Sequence, residues 1–420
     1  MRKHARARMM TAGVTGLLVS LVLAGCSAAE STTNEDGQTI LKVYGWKGTE
    51  GEPANVAEIN AAFEKAYPEI ELVFEALPAN EPYSQRVQPE LLAGDSADVV
   101  MVDSNLLANW GESGYLADLS DREWADTITN SLRPFAEHDG ELLAMPMEAV
   151  GVGMFANTEL LAQVGIAETP SDWPAFLDAL QALQDAGHTP IALPNRNGWT
   201  GSIAFLGAGA SVVPEGWDAD FFAGDATFED WRPAVEQLVE LGERGYVDWR
   251  TELGVDEWSD GLNQYTQGDT GFWVQGSWNL APVREAGVPT EFVAWPGAAA
   301  GESSKGLVFA GTMWAMNAAT EVEDAAQKYI DFWAQPENLK PFLEAESAVS
   351  PFVDGETPAN EDTAAFVAAY EAGDARFMQT NTWMAGDVQT QIGSRLQALF
   401  LGDLTVDELL DELDSIARTE

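Results

Sequence analysis

The chain has 420 residues, 46% of them hydrophobic and 15 of them tryptophan, with 68 acidic against 21 basic side chains and a formal net charge of −47. So acidic a chain repels nucleic acid and anionic lipid, which removes both as partners, while its apolar content builds large cores and excludes a disordered polyanion. One cysteine and three scattered histidines leave no internal disulfide and no clustered metal ligands, and no cofactor is expected.

Arg2, Lys3, Arg6 and Arg8 precede a short apolar run, 12–23, which closes on Ala24, Gly25 and Cys26. A basic start, an apolar middle and small residues at the cut are the parts of a secretory signal. The run is shorter than the roughly 20 apolar residues that span a bilayer. The Leu-Ala-Gly-Cys ending resembles the lipobox of bacterial lipoproteins, in which the cysteine is lipidated and becomes the first mature residue. That resemblance implies a signal over 1–25, a lipid anchor on Cys26 and a place at the outer face of the cytoplasmic membrane. An ordinary cleaved signal with an incidental cysteine is the alternative. Without the leader, 17 basic and 68 acidic residues remain over 395 positions, a formal charge of −51. Such a surface is well solvated, or adapted to saline surroundings. The length admits two domains.

Residues 26–39 are rich in Ser, Thr, Asn, Asp and Gly and read as a flexible tether. Residues 40–44 read as a strand. Val56, Ile59, Phe63 and Ala66 then recur at helical spacing up to Pro68. Ile70, Leu72 and Phe74 fit a second strand. Val87, Leu91 and Leu92 mark a helix ended by Gly94, and 97–102 is apolar apart from Asp98. Strand, helix, strand, helix, strand implies a parallel sheet covered on both faces, an α/β class. Further on, Ser171 and Asp172 precede a helix carrying Trp173, Phe176, Leu177, Leu180 and Leu183, with Pro174 in its first turn and Gly187 after its end. Val322, Ala326, Tyr329, Ile330 and Trp333 mark a later helix, which Pro336 stops. Thr405 and Glu408 have capping-box spacing before Leu409, Leu410 and Leu413.

The order of segments resembles the extracellular solute-binding proteins of ABC importers, in the sugar-binding group that includes maltose-binding protein, from about Ile40 to the C-terminus. Gly-Asp-Ser-Ala-Asp-Val-Val at 94–100 matches that family's loop and strand, with alanine where proline is commoner. Gly-Tyr-Leu-Ala-Asp-Leu at 114–119 matches its next segment. Leu-Ala-Met-Pro at 143–146 and Gly-Met-Phe-Ala-Asn-Thr at 153–158 resemble the first crossing between lobes. Residues 169–173 resemble a helix start, but with Ser-Asp for the usual threonine. Gly268, Gly271 and Gly-Ser-Trp at 276–278 resemble its strand and turn. The resemblance implies a two-lobed periplasmic-binding-protein-like fold of type II, with a ligand cleft between the lobes. Three crossings are expected near 145–148, 309–314 and 345–352, giving lobes of 40–146 plus 311–346 and of 147–310 plus 347–420. The implied partners are a small carbohydrate and the permease subunits of an ABC transporter, with the chain a monomer.

A pyranose presents an apolar face of C–H groups and a rim of hydroxyls. Indole rings cover the first, and carboxylates and amides satisfy the second. Trp278 follows a glycine and a serine at a turn where the family places a stacking aromatic. Trp46 ends the first strand at the expected cleft mouth, beside Lys47. Asp103 ends the third strand and faces either ligand or the helix it caps. Glu148 lies in the first crossing, solvated by hinge motion or turned to the ligand. Asn195 and Trp199 belong to a polar loop after a strand at 191–193. Trp314 and Trp383 sit where the family places contacts, and core packing competes at both. Trp173, Trp231 and Trp333 fall on helix faces and read as packing.

Two other functions remain open in the residues. A secreted glycoside hydrolase needs two carboxylates flanking the bond, which 68 acids do not exclude, although no nucleophile elbow or histidine pairing accompanies them. The same fold binding a polyamine is the other, since tryptophans with acids also suit a cation. Binding without catalysis is the expectation.

Overall fold

The computed structural model describes residues 32–47, 55–79, 81–302, 305–358, 360–372, 375–378 and 388–418. Residues 1–31, Cys26 among them, and Trp383 lie outside the described residues.

Two sheets organise the chain. β1 (Thr39–Gly45), β2 (Ile70–Ala76) and β3 (Val99–Val102) alternate with helices Val56–Ala66 and Glu81–Ala93. In β1, Leu41 and Val43 point into the core while Lys42 and Tyr44 are half-buried, the period-two pattern of a strand with one apolar face. β2 and β3 both run parallel to β1. β3 is buried along its whole length and is shorter than the apolar run suggests. Ala97 and Asp98 stand before it, where the Asp98 carboxylate accepts from the Lys42 amide (2.9 Å) and the Thr320 hydroxyl (2.6 Å). A small hairpin, β4 (Glu137–His138) with β5 (Glu141–Leu142), precedes β6 (Ala144–Pro146).

The second sheet is built on β7 (Ala149–Asn157), joined by β8 (Thr189–Ala192), β9 (Thr270–Gly276), β10 (Thr290–Val293) and β11 (Leu307–Ala310). The chain then returns to the first sheet as β12 (Met313–Met316), which inserts antiparallel between β3 and β6. The first sheet is therefore mixed, in the order β2-β1-β3-β12-β6, and not parallel throughout. A late, remote strand supplies the difference. β13 (Arg376–Phe377) closes the edge of the second sheet against β11.

Local signals set several helix ends. Asp172 caps helix Trp173–Ala186 by accepting from the Ala175 amide, and Gly187 ends it at φ +92°. Thr405 and Glu408 form a reciprocal capping box in front of Val406–Arg418, contributing about 1 kcal/mol. Pro336 does more than stop helix Glu323–Trp333: it starts the next one, Pro336–Glu346, where its missing N–H costs nothing.

Each sheet has its own large apolar core, and Trp278 and Phe309 pack against both. Three passes join the two α/β lobes, and they touch one another. Met147 and Glu148 link β6 to β7, and Gly311 and Thr312 link β11 to β12. The Gly311 amide donates to the Glu148 carbonyl (3.1 Å) and the Met147 amide to the Thr312 carbonyl (3.0 Å). A Cβ on Gly311 would lie 2.5 Å from Glu148 Cγ, so only glycine lets these passes approach so closely. On the third pass, Val349 exchanges both backbone bonds with Ala149, each 2.9 Å. Beyond it, Pro351 and Val353 bond to Thr129 and Thr127 of the first lobe.

Candidate functional site

The carboxyl ends of β1, β3 and β9 meet where the three passes lie, the position at which open α/β sheets bind ligands. On the first lobe, Trp46 leaves β1 half-buried, its ring edge-on to the buried Tyr83 at 4.9 Å. The Tyr83 hydroxyl donates to the Tyr44 carbonyl (3.1 Å), which fixes the ring that Trp46 leans on. Asp103 caps helix Ser104–Glu112, accepting from the Leu106 amide at 2.8 Å. Burial pushes its carboxyl up, against the pull of the Leu106 and Asn105 amides. The structure therefore gives Asp103 the capping role and leaves it half-buried beside the cleft.

On the second lobe, Trp278 follows β9 in the one-turn helix Ser277–Asn279. Its ring folds back over the strand end, and a Cβ on Gly276 would meet it at 2.1 Å. Glycine is required there for space. Trp199 starts helix Trp199–Val212, and its ring lies 6.0 Å from Trp278 and 4.8 Å from Trp258, at 55° and 41°. These three half-buried indoles form a bent apolar wall. Hydrogen bonds knit the segments that carry them. The Asp256 carboxylate accepts from the Trp258 and Ser259 amides, both 3.1 Å. Glu257 accepts from the Asn197 amide (2.6 Å) and side chain (2.9 Å), while Gln275 of β9 donates to the Glu257 carbonyl (3.1 Å). Burial pushes the Glu257 carboxyl up despite those donors.

Trp258 is absent from the sequence expectations. No local pattern marks it: Asp256 supplies the capping bonds of helix Ser259–Thr266, and Trp231 holds the equivalent position before helix Arg232–Glu243 as an enclosed core residue.

The Lys47 ammonium pairs with the Glu346 carboxylate at the end of helix Pro336–Glu346 and, across the lobes, stands 5.9 Å from the Trp278 ring centre. Glu148 lies next to this pair, 1% exposed. One of its oxygens accepts from the Thr312 amide (3.2 Å) and hydroxyl (2.9 Å), and the other has no hydrogen-bond partner. Burial first, then Glu346, push its carboxyl up to about 7. It faces the pivot.

Other expected contacts are placed differently. Asn195 is fully enclosed, with its side-chain oxygen accepting from the Gly201 amide (2.8 Å), and it shapes the loop before Trp199 from behind. Trp314 is fully buried in the first core, against Tyr329 and Trp333 at 5.6 Å each, and has no face toward the cleft. Trp383 lies outside the described residues. A cavity of ≈ 640 Å³ elsewhere is lined by Arg284, Lys340, Glu344, Asn360 and Asp362 among others. Without an aromatic it offers no face for a pyranose. Among the described residues no group of His, Cys, Asp and Glu could hold a metal ion, and no helix is long and apolar enough to cross a membrane.

Comparison with known proteins places this geometry. The family model for bacterial extracellular solute-binding proteins matches residues 58–361. The melibiose/raffinose/stachyose-binding protein MelE of Bacillus subtilis is 28% identical over 169 residues, 40% of this chain and 38% of its own. The multiple sugar-binding protein of Streptococcus mutans is 22% identical over 191 residues, 45% and 44% of the two chains. The matches thus span less than half the length of these two relatives. A sugar transporter of Bacillus licheniformis, solved with stachyose, superposes with a TM-score of 0.73 at 18% identity, covering 90% of this chain and 98% of that one. At that identity the likeness establishes the two-lobed fold.

Proposed function

The chain belongs to the family of bacterial extracellular solute-binding proteins, and from that premise we propose that it is a lipid-anchored receptor that binds a carbohydrate between its lobes and delivers it to an ABC transporter permease. One observation carries the carbohydrate reading: Trp278, Trp199 and Trp258 form a continuous indole wall at the end of β9. Carboxylates and amides stand around it, as a ring of sugar hydroxyls requires. The relatives point the same way, since MelE and the Streptococcus protein are named as sugar-binding proteins. The two lobes close on the ligand, which leaves unchanged. Trp46 and Asp103 answer from the first lobe. The protein works as a monomer at the outer face of the cytoplasmic membrane, held by Cys26.

A thermal-shift screen tests the ligand class, because any ligand that binds only the folded form raises the melting temperature. Neutral oligosaccharides such as stachyose raise it in this reading, and a rise confined to polyamines replaces the reading with the cation alternative. The anchor has its own test. Cys26→Ser releases the protein to the medium or leaves an uncleaved precursor, whereas wild-type membrane retention contradicts lipidation.

A further inference from the structure

At the pivot, two buried carboxylates lie around one ammonium, which pairs directly with Glu346 and acts on Glu148 through its charge alone. Glu148 comes from the first pass, Glu346 from the end of helix Pro336–Glu346, and Lys47 from the segment after β1, and the Glu148 and Glu346 residues are 1% and 2% exposed. With both acids ionised the cluster carries one uncompensated negative charge in a low-dielectric site, which is costly. With Glu148 protonated it is neutral. We propose that closing the two lobes takes up a proton at Glu148, so that protons act as a second ligand of this receptor.

The geometry supplies the coupling. Lys47 belongs to the first lobe, and the Trp278 ring above it belongs to the second. Parting the lobes carries Trp278 off the Lys47–Glu346 pair and admits water to all three groups. Water relieves the charged form of Glu148, and its proton affinity returns toward the ordinary carboxylate value. Among the described residues the charged groups facing Glu148 are Glu346 and Lys47. The second pass offers it only the Thr312 amide and hydroxyl, and neither Ser277–Asn279 nor the third pass at 347–349 carries a titratable side chain. The unpartnered Glu148 oxygen is where the proton sits. In this structure, with the Trp278 ring over Lys47, this carboxyl is held near 7 against an ordinary 4.5. Closure therefore gains at most about tenfold in its equilibrium constant per unit fall of pH across that window. The site requires two lobes that part and close, and no particular ligand.

Small-angle scattering of the sugar-free protein from about pH 8 to about pH 5 reads this out, the range being set by those two limits. The radius of gyration of the wild type falls as pH drops. Glu148→Gln, which keeps an oxygen for Thr312 and no charge, stays compact throughout. Glu346→Gln moves the transition to lower pH by removing the like charge, and Lys47→Met moves it to higher pH by removing the cation. Should Glu148→Gln fail to fold, the opposite shifts of the other two carry the test. A wild-type radius that ignores pH, a Glu148→Gln curve that follows the wild type, or shifts of the same sign in the two flanking variants overturn the proposal.

Discussion

Lys47 and Trp278 belong to different lobes, yet the lysine ammonium stands 5.9 Å from the centre of the indole ring, while the Glu346 carboxylate holds it there. A cation over an indole face is worth about 0.5–2 kcal/mol, more as water is excluded. The end of β1 and the end of β9 are thus drawn together over the ring that a sugar would stack on. Whatever binds there meets both lobes at once, which is the condition for a hinge to report occupancy.

Trp314 and Trp333 are both fully enclosed in the first core. Truncating either to alanine lowers unfolding free energy by about 3–5 kcal/mol, read from denaturant titration. The folded fraction binds sugar as the wild type does. A Trp314→Ala protein with normal stability and weakened binding would instead put that ring in the cleft.

Trp199 and Trp258 extend the Trp278 wall. Alanine at either position removes about 1–3 kcal/mol of apolar contact, or roughly 5- to 150-fold in affinity by calorimetry. The rings touch at 4.8 Å, so the double variant loses less than the sum of the singles. Strict additivity would mean that the two rings act separately.

Glu252 is 6% exposed, and burial, with a smaller contribution from Asp248, pushes its carboxyl up to about 7 against Gln264 and the Leu193 backbone. Between about 4.5 and about 7 the folded protein binds the proton that the unfolded chain has released. Its contribution to stability is therefore complete below 4.5 and is lost as pH rises through 7. Glu252→Gln removes that loss, raising stability by roughly 3 kcal/mol at pH 8 and leaving it unchanged at the acid end. Chemical denaturation at several pH values measures the slope. Glu148 leaves a similar signature, so the single variant flattens only part of it. An undiminished slope would contradict the assignment.

Periodicity and capping made the first-lobe helices, the Asp172 cap and the Thr405–Glu408 box readable before any coordinates. Those signals are local. The antiparallel β12 was not readable, because it joins β3 from more than 200 residues away and its own four residues carry no direction. Tryptophan environments were only half readable for the same reason. Trp314 and Trp46 sit at comparable strand ends, but one is roofed by Tyr329 and Trp333 from a remote helix, and the other leans on Tyr83 at the surface of its lobe. Glu148 lies between β6 and β7. Its direction depends on Thr312 and on Lys47, contacts that spacing does not encode.

Calorimetric titration of the wild type and of Trp278→Ala with stachyose and other neutral oligosaccharides decides whether the indole wall holds a sugar. The wild type binds a neutral sugar saturably and one-to-one, that sugar is recovered uncleaved, and Trp278→Ala loses about 5- to 150-fold in affinity, from roughly 1–3 kcal/mol of buried ring contact. A cleaved sugar, heat from polyamines alone, or a Trp278→Ala protein that binds as tightly as the wild type would contradict this.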